Sequence, residues 1–242
     1  MLAREGQRLC GKVLVLVTED WFALSHFRPL IATLREMSTE VVVATRSSGR
    51  LEEIAALGVR TRAFDFRRGS ANPLAHVQAL GGLAALIGEE RPDAIHAIAM
   101  QPMVLTCLAL QRGRYRPRGV VLHLTGLGFL GVSRSPVARL ARPVAFAVLR
   151  RTFRTHNVRL LAENPDDVAY MIAAGAGTPA QAAVVPGAGI DPQQFPALPP
   201  PGNATPAAAF VGRMLHQKGA AVLVEAQRRL SARGIAIHVD LY

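Results

Sequence analysis

The sequence has few of the residues that build disulfide frameworks, zinc sites or membrane spans. Its two cysteines, Cys10 and Cys107, have no C-x-x-C or other paired spacing, so neither a disulfide framework nor a metal site is indicated. The apolar run at residues 13–17 is too short for a signal peptide, and no stretch reaches the roughly 18 apolar residues of a membrane span. We therefore expect a chain in a reducing cytosol, neither exported nor transmembrane.

Acidic residues are absent from residue 94 to residue 162, although this segment holds eleven arginines. The remainder of the chain holds 17 basic and 17 acidic residues, so this one segment carries the whole net charge of +11. Such asymmetry favours an anionic partner: a membrane phospholipid, a phosphorylated lipid or a nucleic acid. A nucleic acid ranks last, because aromatic residues make up only 5% and no recognised binding module occurs. The alternative is an arginine preference from a GC-rich genome, without functional meaning.

Apolar runs typical of strands alternate with helical patterns along most of the chain. Candidate strands lie at residues 12–18, 40–45, 59–64, 93–98, 119–124, 158–162 and 182–185, and helical patterns at 27–37, 51–56, 74–90, 103–111, 137–155 and 166–174. This alternation predicts an α/β fold with a doubly wound parallel sheet covered on both faces. Ligands of such sheets bind beyond the carboxyl ends of the strands.

A boundary is predicted at residues 191–206, where six of sixteen residues are proline. Neither a helix nor a central strand tolerates this composition, so the segment is interpreted as a linker. The sequence thus predicts a domain at 1–190 and a strand-helix-strand unit at 207–242. A unit of 36 residues rarely buries enough surface to be stable by itself.

The decapeptide F-V-G-R-M-L-H-Q-K-G at residues 210–219 joins the end of a strand to a new helix. Gly212 permits a tight turn, and the loop brings Arg213 and Lys218 to a helix N-terminus, whose free N–H groups attract anions. A phosphate or diphosphate would fit there. Two solvated cations on an ordinary turn are the alternative interpretation.

Polar residues after two other strands are candidates for a ligand cleft. Ser25 and His26 follow the first strand, and Glu163 and Asn164 follow the sixth. Two structural alternatives stay open: Ser25 caps a helix that begins at Phe27, and the second pair forms a turn before a helix.

Residues 126–131 read G-L-G-F-L-G, which matches the dinucleotide-binding fingerprint. A single match is weak evidence, and this one follows the fifth strand rather than the first. Arg150 and Arg151 stand near the distance at which the fingerprint has an acidic residue. An NADP-dependent reductase is therefore only a formal alternative.

Six segments together resemble a family 4 glycosyltransferase of the GT-B fold, close to bacterial enzymes that add sugars to lipid-linked polysaccharide precursors. They are L-S-H-F-R-P-L (24–30), R-P-D-A-I-H with M-Q-P (91–102), L-T-G-L-G-F (124–129), A-E-N-P-D-D (162–167), V-P-G-A-G-I-D-P-Q-Q-F (185–195) and the decapeptide 210–219. Each is modest alone, but their order along the chain matches that of the family.

The resemblance implies two Rossmann-like domains: an acceptor-side N-terminal domain and a C-terminal domain that binds a nucleotide-sugar. It implies a retaining sugar transfer without metal or cofactor, in the cytoplasm at the inner face of the cell membrane. Gly212, Arg213 and Lys218 match the positions that bind the donor diphosphate. Preorganised cations of this kind stabilise charge that develops on a leaving diphosphate. Ser25, His26, Thr125, Gly126, Glu163 and Asn164 would line the acceptor side.

The sequence also departs from the family. It lacks the E-x-x-x-x-x-x-x-E segment that holds the donor sugar and nucleobase, so the chain is expected to be truncated within its second domain and inactive by itself. Where many relatives carry T-x-H-G, this chain has His123-Leu124-Thr125-Gly126, which leaves the catalytic role of His123 and of Thr125 open. A non-catalytic anion- or lipid-binding domain of the same fold is the alternative function.

Residues 137–155 form the candidate membrane-contacting helix. A helical wheel groups its arginines with Phe146 and Phe153, and places Val137, Ala141, Val144 and Val148 on the opposite side. We expect the valine side to face the core and the other side to face phospholipid. The arginines expected at the membrane are Arg139, Arg142, Arg150, Arg151 and Arg154. A solvated basic face is the alternative.

Overall fold

The structure is a computed structural model that describes residues 10–66, 73–128, 135–187, 189, 193, 195–199, 202, 205–212, 214 and 218–242. The chain divides into two compact units, Met1–Gly189 and Ile190–Tyr242. Much of the proline-rich segment 191–206, Arg213 and part of the G-L-G-F-L-G motif lie outside the described residues. No described helix is both long enough and apolar enough to cross a membrane.

The first unit is built on a seven-stranded parallel sheet in the order β3-β2-β1-β4-β5-β6-β7. The strands are β1 (Cys10–Glu19), β2 (Ser38–Arg46), β3 (Arg60–Ala63), β4 (Ala94–Ile98), β5 (Gly119–Leu124), β6 (Val158–Ala162) and β7 (Ala182–Val184). The predicted parallel sheet is confirmed, and β5 and β6 have the bounds that the sequence predicts. Their apolar runs favour central strands because both faces of a parallel sheet are covered.

Helices cover the two faces of this sheet in two layers. They are α1 (Asp20–His26), α2 (Arg28–Met37), α3 (Leu51–Ala55), α4 (Pro73–Glu90), α5 (Met100–Arg112), α6 (Pro136–Thr155) and α7 (Pro165–Ala173). Along β1, Val13, Val15 and Val17 pack in a cluster with α1 to α3, whereas Leu14 and Leu16 pack in a cluster with α4 to α7. This alternation follows from the period of two in a strand, and it makes the sheet doubly wound.

The segment after β1 differs from the prediction of one helix at residues 27–37. The structure has two helices, α1 and α2, which meet at Phe27 with φ −119° and ψ 11°. Ser25 lies inside α1, and its hydroxyl donates to the Trp21 carbonyl at 2.7 Å, so the alternative that Ser25 caps the second helix is wrong. Pro29 has no N–H and suits a first turn, which explains why a new helix begins there.

The second unit is described as a parallel strand pair and one helix. Strands β8 (Ala207–Phe210) and β9 (His238–Leu241) pair with each other, and α8 (Ala220–Ala232) connects them. None of this unit's described residues is fully buried.

Candidate functional site

The polar residues predicted for a cleft follow strands β1, β5 and β6 at the carboxyl edge of the first unit's sheet. In the strand order, β4 and β5 separate β1 from β6. At about 4.8 Å between neighbouring strands, the ends of β1 and β6 are roughly 14 Å apart. Leu124 and Ala162 are paired across β5 and β6, so Thr125 and Glu163 follow neighbouring strands, whereas Ser25 and His26 come after β1, on the far side of β4.

Ser25 and His26 form an exposed pair at the end of α1. The Ser25 hydroxyl lies 2.7 Å from His26 Nδ1 as well as 2.7 Å from the Trp21 carbonyl. The Phe27 ring connects this pair to β5, because it lies 6.4 Å from the His26 ring and packs edge-on against the His123 ring at 5.5 Å. Aromatic packing thus brings His26 and the end of β5 into one neighbourhood.

His123 lies inside β5 and is buried with a second histidine from β4. His96 Nε2 lies 3.2 Å from His123 Nδ1. Burial lowers the pKa of His96 to about 3, with a further contribution from His123, and burial also lowers the pKa of His123. Both rings are therefore neutral at pH 7. His123 Nε2 has no hydrogen-bond partner among the described residues. A buried ring with a lowered pKa is a poor general base, and no catalytic role is assigned to His123.

Thr125 and Gly126 come directly after β5 and border open space. Gly126 has φ 124°, and a Cβ placed on it would meet no atom within 4 Å. The neighbouring turn is fixed by the Ala99 N–H, which donates to the His123 carbonyl at 2.9 Å. Ala99 itself has φ 74°, an uncommon conformation for a residue with a side chain. At this edge the backbone of Ala99 is thus strained and hydrogen-bonded to β5, and Gly126 borders open space.

Asn164 performs a structural task at the end of β6. Its side-chain oxygen accepts from the Asp167 N–H at 2.8 Å, and its amide donates to the Asp167 carboxylate at 3.0 Å, so it caps α7. Pro165 follows at the first helical position, as the alternative interpretation of this turn required. Glu163, the residue before the cap, is half-buried.

The sequence analysis missed a buried carboxylate at the end of β1. Asp20 accepts hydrogen bonds from the backbone of Ser48 (2.6 Å), Arg50 (3.1 Å) and Trp21 and from the Ser48 hydroxyl. Burial alone would raise the pKa of Asp20, but the hydrogen bonds from Ser48, Arg50 and Trp21 lower it overall. Asp20 therefore fixes the loop after β2 at the candidate edge. The sequence signal for this carboxylate was the segment T-E-D (residues 18–20), which places acidic residues at the end of an apolar strand.

The phosphate-loop candidates belong to the second unit. The Gly212 N–H donates to the Tyr242 carbonyl at 3.0 Å, which holds the loop at the end of β8. Lys218 is exposed just before α8, and no described carboxylate lies within salt-bridge distance of it. Its charge is thus available to an anion at that helix N-terminus. Arg213 lies outside the described residues.

The orientation of α6 differs from the one that the helical wheel suggested. Phe146 and Phe153 are buried, at 6% and 7% exposure, whereas Val137 and Val144 are exposed, at 69% and 62%. Val148 is partly buried and packs against the core, as expected. The large rings fill the core and bury more apolar area than valine, which decides the inward face. Arg139, Arg150, Arg151 and Arg154 are exposed, and Arg142 is half-buried.

The parts of the chain that the structure describes contain no group of three or more His, Cys, Asp or Glu side chains placed to hold a metal ion. The one described cysteine side chain, Cys107, is buried, and burial raises its pKa to about 12. A thiol with such a pKa is unreactive at neutral pH.

Comparisons with known proteins agree with this architecture. A family model described as a glycosyl transferase 4-like domain matches residues 24–188. Among curated proteins no match was found. Among solved structures, the chain is similar to Anabaena HepE in complex with UDP and glucose, at 17% identity and a TM-score of 0.61, over 95% of this chain and 60% of that one.

Two further structures are similar at comparable levels. Sucrose-phosphate synthase from Thermosynechococcus elongatus has 15% identity and a TM-score of 0.62, over 96% of this chain and 62% of that one. A putative UDP-N-acetylglucosamine 2-epimerase from Listeria monocytogenes has 14% identity and a TM-score of 0.56, over 95% and 62%. The chain thus spans about three fifths of their length. At such identities the likeness shows the fold alone.

Proposed function

The chain belongs to the family of glycosyl transferase 4-like domains, and we propose that it acts in transferring a sugar from a nucleotide-sugar to a lipid-linked or polysaccharide-precursor acceptor. The observation that carries this proposal is the family match over residues 24–188, which includes most of the seven-stranded sheet. The expectation of an α/β fold of the GT-B type is confirmed.

The proposed donor contacts are Gly212, Arg213 and Lys218 on the second unit. The free charge of Lys218 and the N-terminus of α8 support a diphosphate there. Charge-assisted hydrogen bonds of this kind contribute about 1.5–3 kcal/mol each. In this proposal the cations, rather than a metal ion, stabilise the departing nucleotide, and the transferred hexosyl group retains its anomeric configuration.

The proposed acceptor contacts lie on the first unit. Ser25, His26, Thr125 and Gly126 form the group joined through Phe27, and Glu163 lies farther along the same edge. Asn164 is assigned a positioning role, because its side chain is occupied with the α7 cap. The hydroxyl groups of Ser25 and Thr125, the imidazole of His26 and the carboxyl group of Glu163 suit the hydroxyls of a sugar.

A membrane partner is proposed for α6. Val137, Leu140 and Val144 are exposed near its start, and Arg150, Arg151 and Arg154 are exposed near its end. At a rise of 1.5 Å per residue, Leu140 and Arg151 are about 16 Å apart, so a helix lying flat on a bilayer would present both groups to it. This arrangement supports peripheral binding at the anionic inner face of the cell membrane.

The second candidate is a non-catalytic anion- or lipid-binding domain. The exposed arginines of α6 favour it independently of any sugar transfer, as does Lys218, which has no carboxylate partner among the described residues. It differs from the first candidate in what it recognises: charge alone, without a nucleoside or a sugar.

Saturation-transfer nuclear magnetic resonance with UDP-glucose separates the two candidates. The donor assignment requires that the uridine and glucose protons of UDP-glucose both receive magnetisation from the protein, and that Lys218→Ala lowers both signals. A charge-only domain would give no glucose signal. That second outcome would refute the donor assignment.

A further inference from the structure

A second concave site lies in the first unit at the opposite edge of the sheet. A cavity of about 360 Å³ opens between the C-terminal ends of α4 and α5. Its floor is apolar and includes Ala84, Ile87 and Leu110, and its rim carries Arg91, Arg114 and Tyr115. The Tyr115 hydroxyl donates to the Pro92 carbonyl at 3.0 Å, just before β4 begins, which places the cavity at the amino edge of the sheet. The proposed sugar-transfer residues of this unit lie at the carboxyl edge.

The rim charges of this cavity are uncompensated. Among the described residues, no carboxylate lies within salt-bridge distance of Arg91 or Arg114. Nearby arginines behave differently: Arg60 and Arg62 pair with glutamates at the end of α4. The guanidinium of Arg91 stacks over the Tyr115 ring at 5.7 Å from its centroid. This cation–π contact holds the charge of Arg91 beside the Tyr115 ring at the rim of the cavity.

The backbone at Arg91 is strained in a way that favours a role for its side chain. Arg91 ends α4 with φ 45°, and its N–H donates to the Ile87 carbonyl at 3.0 Å. Glycine is the usual residue at such a left-handed helix end, because a side chain is disfavoured there. An arginine in this position places a cation at the cavity mouth. Strain of this kind is typical of ligand sites.

We propose that this cavity binds a small amphiphilic anion, in which a phosphate or carboxylate group is carried on an apolar body. Arg91 and Arg114 bind the anionic group, since guanidinium groups match both oxyanions with paired hydrogen bonds. The apolar body enters the cavity between α4 and α5, whose volume falls in the range of small-molecule sites. Within the first unit, the site is separate from the proposed acceptor contacts, which lie at the carboxyl edge of the sheet.

Two substitutions test the two halves of this site. Gly88 lines the cavity, and a Cβ on it would meet no atom within 4 Å, so Gly88→Leu fills the cavity without a backbone clash. Gly81→Leu is the matched control, because Gly81 is also a helical glycine of α4 with open space but does not line the cavity. Arg91→Gly removes the charge and also relieves the left-handed strain. The urea concentration at the unfolding midpoint of Arg91→Gly should therefore be unchanged or higher. A loss of binding in this variant would then not be caused by unfolding.

The probe is octyl phosphate, titrated by calorimetry against the whole chain, with inorganic phosphate and octanol as partial ligands. We expect octyl phosphate to bind at least tenfold more tightly than either partial ligand. Arg91→Gly should weaken it by about tenfold or more, since a charge-assisted bond is lost, and Gly88→Leu should abolish binding that Gly81→Leu retains.

Three results would overturn the proposal. Inorganic phosphate that binds as tightly as octyl phosphate would show that the apolar cavity contributes nothing. Binding that survives both Gly88→Leu and Arg91→Gly would place the ligand elsewhere. If the arginines serve only to complement the two helix C-termini, no octyl phosphate binding would be detected.

Discussion

The buried histidine pair makes the stability of the first unit dependent on pH at the scale of single residues. The folded pKa of His96, about 3, lies below the ordinary value of 6.5. The unfolded chain therefore binds a proton below pH 6.5 that the folded chain excludes, so the stabilisation is complete above pH 6.5 and declines as the pH falls toward 3. When the pH falls from 7.5 to 5.5, the lowered pKa of His96 alone should reduce the unfolding free energy by about 1 kcal/mol.

Urea unfolding at pH 7.5 and 5.5, followed by the fluorescence of Trp21, the chain's single tryptophan, measures this loss. His96→Gln should remove about 1 kcal/mol of the difference between the two pH values. His238→Gln, which changes an exposed histidine of the second unit, should leave it unchanged. An equal pH dependence in His96→Gln and the wild type would show that His96 is not excluded from protonation.

Asp20 is expected to be the most sensitive residue at the candidate edge. Asp20→Ala leaves the N–H groups of Ser48 and Arg50 without their acceptor, and we expect a loss of about 2–4 kcal/mol in unfolding free energy. Trp21 follows Asp20 in the chain and reports the change by fluorescence. Glu36→Ala, an exposed carboxylate on α2, is the matched control. A loss below about 0.5 kcal/mol would mean that water replaces the carboxylate freely.

At the scale of elements, the proposed binding of α6 to an anionic membrane can be tested directly. Each arginine near an anionic surface contributes about 1 kcal/mol, so Arg150→Glu combined with Arg154→Glu should reduce binding to anionic vesicles by at least about tenfold. Arg228→Ala with Arg229→Ala, which removes two arginines from α8 instead, serves as the control. Vesicle sedimentation at two salt concentrations gives the result. Equal binding of the wild type to neutral and anionic vesicles would contradict the proposal.

The sequence predicted the positions of strands more reliably than the side of each helix that faces the core. The short, mainly apolar run of β5 lies between Gly119 and Gly126, and such a run between turn residues favours a strand, so its bounds were predicted correctly. Helix α6 has apolar residues on two sides, and only the packing of Phe146 and Phe153 decides which side is inward. Helix α1 was missed because seven residues with a charged start carry little periodicity. Asp20 was missed because its partners come from a loop 28 residues away.

At the scale of the whole molecule, the two units are expected to differ in resistance to proteolysis. The first unit has buried clusters on both faces of its sheet, whereas no described residue of the second unit is fully buried. Few buried contacts mean a small free energy of local opening. We therefore expect trypsin or chymotrypsin to cleave first between residue 191 and the C-terminus, and residues 1–190 to persist. Mass spectrometry of the fragments decides this, and equal survival of residues 207–242 would contradict it.

The central claim is that this chain recognises a nucleotide-sugar through its diphosphate, and the calorimetric affinity for UDP tests it most directly. We expect a dissociation constant in the millimolar range and no sustained sugar transfer, because phosphate contacts alone barely offset the cost of ordering the ligand. Lys218→Ala should weaken UDP binding by about tenfold or more, whereas Arg228→Ala should not change it. Uridine that binds as tightly as UDP, or a Lys218→Ala chain that binds UDP like the wild type, would contradict the account.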